Sequence, residues 1–88
     1  MSFTVARQVC GAEEYDEHRE RLPQLRRLRV PPVPPGHLGL IVQAVSVGDF
    51  PLRTVYGSVP STGDSKAALD ELELVLRRSL GRAEGHGG

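Results

Sequence analysis

Residues 2–10 alternate in polarity, with Phe3, Val5 and Val9 on one side of the chain and Thr4, Ala6, Gln8 and Cys10 on the other. A period of two marks a half-buried strand. Arg7 is the charged exception on the apolar side, and Gly11 ends the pattern. Over residues 12–22 the spacing lengthens to that of a helix, and Tyr15, His18, Leu22 and Leu25 fall on one face. Glu13, Glu14, Asp16 and Glu17 precede Arg19 and Arg21, the order that suits the helix dipole. Pro23 removes a hydrogen bond and clashes with the preceding turn, at a cost of about 3 kcal/mol inside a helix. The helix is therefore predicted to end near Leu22, a kinked continuation through Leu25 and Leu28 being the alternative. Pro31, Pro32, Pro34 and Pro35 then impose an extended, semi-rigid connector over residues 30–36.

Two β-rich runs follow, residues 38–47 and 50–59, separated by Gly48-Asp49, a pair suited to a tight hairpin turn. The first run is apolar on both sides: Leu40, Val42 and Ala44 on one, Ile41, Val45 and Val47 on the other. Such a strand requires cover on both faces. The second carries Pro51, which belongs at a sheet edge. Residues 65–80 form the best-defined helix, capped by Asp64 or Ser65 and stopped by Gly81. Its apolar face is Leu69, Leu72, Val75, Leu76 and Leu80, with Ala68 beside it and Leu74 opposite. The order β-α-β-β-α predicts an α+β fold of two layers: a small three-stranded sheet with two helices on one face.

Composition narrows the rest. At 88 residues the chain is a single domain, residues 1–80, and one this short buries only about 60–65% of its unfolded surface. Residues 81–88, glycine-rich and without a large apolar side chain, are expected to be a disordered tail. Lysine plus arginine equals aspartate plus glutamate, 11 against 11, which argues against a protein devoted to gripping phosphate backbone. Lys66 is the only lysine, a usage that points to a GC-rich, bacterial or phage, coding genome. Cys10 has no cysteine partner, the N-terminus has no charged start followed by an apolar block, and the longest apolar-rich stretch, Leu38–Val47, is half a membrane span. The expected location is cytoplasmic, with no membrane contact.

No catalytic or metal constellation emerges, and neither a cofactor nor a small-molecule substrate is implied. Cys10, His18, His37 and His86 lack ligand spacing, and Cys10 reads as a packed or surface thiol with no activating base. Gly57, Ser61, Thr62, Gly63, Ser65 and Lys66 lead into a helix N-terminus, but Asp64 intervenes where a phosphate loop needs lysine, so ordinary capping accounts for them. Arg29 before the prolines has the spacing of a polyproline ligand, against the plainer reading of a stiff spacer. Pro35-Gly36-His37, the hairpin, and Gly63-Asp64-Ser65-Lys66 opening a helix resemble the second half of a double-stranded-RNA-binding domain over half the chain. That family opens its last helix with further lysines. Here Ala67, Ala68, Leu69 and Asp70 follow Lys66, and there is no third strand between hairpin and helix.

The expectation is a non-enzymatic protein-interaction or regulatory protein, acting as a homodimer or as a small subunit of another protein's complex. The doubly apolar strand nominates Ile41, Val45 and Val47 as partner contacts; Leu74 lies off the helix face, and Arg53 and Val55 lie on the edge strand. The alternative is nucleic-acid or anion binding through Arg26, Arg27, Arg29, Arg53 and Lys66.

Overall fold

The computed structural model describes residues 2–85. Its elements run β1 (Phe3–Cys10), α1 (Ala12–Glu20), α2 (Gln24–Arg29), β2 (His37–Ser46), β3 (Pro51–Pro60) and α3 (Ser65–Gly85). The sheet is antiparallel with β2 in the middle. The fold is α+β, as the alternation and helical spacing predict, with one more helix than expected.

Register explains how the apolar pattern is spent. Phe3, Val5 and Arg7 of β1 face Ser46, Ala44 and Val42 of β2, while Val55 and Gly57 of β3 face Val42 and Leu40. This face of the sheet meets α3: Leu40, Val42, Ala44 and Val59 are buried with Leu69 and Leu76, and Phe3, Val5, Leu72 and Leu80 pack around them. Each such aliphatic side chain contributes about 1.5–3 kcal/mol by leaving water. The charged exception resolves as well, since Arg7 reaches over this face to Asp70 at 2.8 Å and Glu73 at 3.5 Å.

The opposite face is covered by the segment between β1 and β2. Cys10, Tyr15, Val30 and Ile41 form a second buried cluster, flanked by Leu22, Val33 and Tyr56. The two helices expected on one face are thus divided, with α3 on one side and α1 on the other. The reason lies in β2 itself: apolar on both faces, it needs a cover on each, and only α3 and the α1-to-Val33 segment supply them. Gly39, paired with Cys10, makes room for this second cover, because a β-carbon there would collide with the Tyr15 ring.

Proline decides the local breaks. Pro23 is the N-cap of α2, so the chain restarts a helix there instead of kinking through, and Leu25 and Leu28 end up 77% exposed. Pro31–Pro35 run without regular structure to Gly36, which takes φ +76°. Between β2 and β3, Gly48 and Asp49 both adopt positive φ, and Asp49 N–H donates to the Ser46 carbonyl. A register irregularity at Ala44/Val45 follows. Asp64 caps α3 by accepting from the Ala67 N–H at 3.1 Å. α3 runs through Gly81 to Gly85, so Gly81 is not its stop: it lies inside the helix with open space where a β-carbon would sit. The last residues of the expected tail, 86–88, lie outside the described residues. No helix among the described residues is long and apolar enough to cross a membrane.

Candidate functional site

The site is built on the free edge of β3. This strand pairs only with β2, so its other edge presents unpaired backbone groups. Alternation sends its side chains to opposite faces. Arg53 and Val55 share the α3 face with Ala44 and Val42, whereas Thr54 and Tyr56 share the α1 face with Gln43 and Ile41. A groove of about 550 Å³ follows this edge, bounded by Arg26, Arg29 and Val30 at the end of α2 and by Leu72, Val75 and Ser79 of α3, with residues 51–56 as its floor. A smaller recess of about 180 Å³ continues it along the α3 side past Gly57 and Ser58.

Two polar groups of the groove are fixed by identifiable contacts. Arg53 Nη1 donates to Ser79 Oγ, tying β3 to α3. The Tyr56 hydroxyl lies 3.1 Å from His18 Nε2, and its ring stands edge-on to Tyr15. Burial pushes the Tyr56 phenol up, and the Arg26 guanidinium partly offsets this, which puts a positive charge beside that hydroxyl. Arg26, Arg29 and Arg53 form no ion pair among the described residues; the pairs formed there use Arg7, Arg27 and Arg77.

The fold sorts the nominated residues. Arg53 and Val55 line the groove together with Arg26 and Arg29. Arg27 turns toward Glu20, 3.7 Å away, and Lys66 is exposed on the first turn of α3, outside the groove lining. Ile41 is only 7% exposed beneath α1, so it is taken by the chain's own core and is not open to a partner. Val45 is half-buried. Val47 is 86% exposed at the hairpin end, near exposed Phe50, and Leu74 is exposed on α3. Sequence reasoning missed the wall made by Leu72 and Val75. Helical spacing puts both on the core face, yet Val75 is 50% exposed; the absence of a fourth strand beyond β3 leaves that flank open.

Other chemistry finds less support. Cys10 is buried, and desolvation, with Glu14 nearby, pushes its thiol up, the direction that makes it unreactive. The N-terminus of α3 is already served by the Asp64 carboxylate. Among the described residues no three His, Cys, Asp or Glu side chains converge. No family model, curated protein or solved structure matches the chain.

Proposed function

We propose that this chain is a non-enzymatic protein-interaction module that engages its partner along the free edge of β3. The observation that carries the reading is an unpaired strand edge that forms the floor of a groove walled by α2 and α3. An exposed edge offers a row of donors and acceptors to another extended chain, and pockets beside it select side chains. The lone buried thiol fits a reducing, cytoplasmic setting.

The doubly apolar β2 no longer demands a companion, because Leu40, Ile41, Val42 and Ala44 are buried by the chain's own helices. The case for a partner rests instead on β3. A second copy paired edge to edge would align Arg26, Arg29 and Arg53 of both protomers along one seam; among the described residues no acidic side chain lines the main groove, and Glu71 borders only the smaller recess past Gly57. Like charges brought together in this way disfavour the symmetric dimer. A different protein, with this chain as its small subunit, is the better fit.

Gathering three unpaired arginines gives nucleic acid a second reading. The zero formal charge and the dispersal of Arg27 and Lys66 away from the groove count against it. Light scattering joined to hydrogen exchange tests the proposal. A monomer near 9.6 kDa whose outward β3 amides exchange rapidly is the expected result. Uniform protection of β3 in the monomer overturns it.

A further inference from the structure

We infer that the β3 groove selects an extended segment of another protein in which acidic and apolar residues alternate. The inference rests on the reading of β3 as the docking edge and adds the chemistry of the occupant.

A strand added to β3 would itself alternate, sending successive side chains to the two faces of the sheet. The two walls it would meet differ in kind. On the α1 side, Tyr56 lies in the floor and Arg26 and Arg29 flank it, spaced three apart on α2 so that both occupy one helix face. On the α3 side stand Leu72 and Val75, and the recess that continues past Gly57 is walled by them and by Ala68, with the exposed Glu71 at its margin. Gly57 lets the Leu72 side chain pack directly on β3, since a β-carbon there would come within 2.9 Å of it. One wall is therefore cationic and unpaired, the other apolar and half-exposed, and the floor is a strand edge. Side chains on one face of the incoming strand meet guanidinium groups, which bind carboxylates in a forked geometry. Those on the other face meet Leu72 and Val75, where apolar groups gain by leaving water. A uniformly acidic segment satisfies one wall only, as does a uniformly apolar one. Arg53, held to Ser79 on the α3 side, sets a polar limit at the hairpin end of the apolar wall.

Fluorescence anisotropy with synthetic peptides of about eight residues, roughly one strand in length, tests the inference on the intact chain. The probes are an alternating Glu–Val peptide, a block-ordered peptide of the same composition, an alternating Thr–Val peptide and an alternating Lys–Val peptide. The Glu–Val peptide is expected to bind about tenfold or more tightly than the block-ordered and Thr–Val peptides, to weaken as salt rises, and to protect β3 amides. Arg26→Glu with Arg29→Glu, both at exposed positions, is expected to transfer the preference to Lys–Val, an exchange that mere unfolding would not produce. Equal affinity for Thr–Val and Glu–Val, with β3 protected by both, overturns the acidic preference and leaves edge docking in place. Failure of every peptide to protect β3 overturns both, as does a dimer in which β3 is already protected. Tighter binding of a single-stranded oligonucleotide than of any peptide overturns the assignment to protein.

Discussion

At the scale of single residues, two glycines carry more of the architecture than their size implies. Gly39 lies under the Tyr15 ring and Gly57 under the Leu72 side chain, so one admits the cover on the α1 face and the other the close approach of α3. Their surroundings differ in how far they can yield. Tyr15 is buried and packed against Tyr56, whereas Leu72 is half-buried at the margin of a groove. Gly39→Ala is therefore expected to lower stability by about 2 kcal/mol through overpacking, and Gly57→Ala by under about 1 kcal/mol, the difference being read from urea midpoints. Nothing in the run Leu38-Gly39-Leu40 announces this. Glycine in a strand signals a close approach, but the partner in that approach comes from a helix more than twenty residues away in the sequence.

At the scale of elements, α2 is the most exposed to change. None of its residues is buried; its C-terminal end is held by Arg19, whose Nε donates to the Val30 carbonyl and whose Nη2 donates to the Arg27 carbonyl at 3.3 Å. The first of these bonds satisfies a carbonyl that a helix end leaves without a partner, and the second adds to the Val30 N–H bond that the Arg27 carbonyl already accepts. Arg19→Met is expected to speed amide exchange across Gln24–Arg29 and to cost about 1 kcal/mol. Arg21→Met, at an exposed position, serves as the control. Because α2 carries Arg26 and Arg29, the same change should weaken the Glu–Val peptide. Most elements were legible beforehand: the alternation of β1, the hairpin and the capped start of α3 all arise from local spacing and local caps. The second helix was not legible: the alternatives at Pro23 were a stop or a kinked continuation, whereas the proline caps a new helix there. The end of α3 lies past the expected Gly81, because glycine is a stop only when the chain beyond it leaves the helical path.

At the scale of the whole molecule, burial of titratable groups couples the fold to alkaline pH. Tyr15 and Tyr56 are both pushed up, first by desolvation, and Cys10 is pushed up in the same way. In the unfolded chain these groups lose their protons at their ordinary values, about 10 for tyrosine and about 8.5 for cysteine. Above those values the unfolded state binds fewer protons than the folded one, so stability falls as pH rises. Urea midpoints should thus hold through neutral pH and decline above about pH 9 to 10, and Tyr15→Phe should flatten the decline. The candidate site belongs to this scale as well. Arg26, Arg29, Arg53 and Val55 were identifiable one by one as exposed arginines and an edge residue, but their assembly into one groove was not, because α2 and α3 come from opposite ends of the chain. The order of polar and apolar residues determined by itself that there would be three strands, a long amphipathic helix and a central strand greasy on both faces, since each follows from interactions between near neighbours. Which face each helix covers, that Ile41 is enclosed while Val75 is left open, and that three arginines end beside an unpaired edge were decided only by the tertiary structure. Those outcomes depend on how separate segments compete to cover the same sheet.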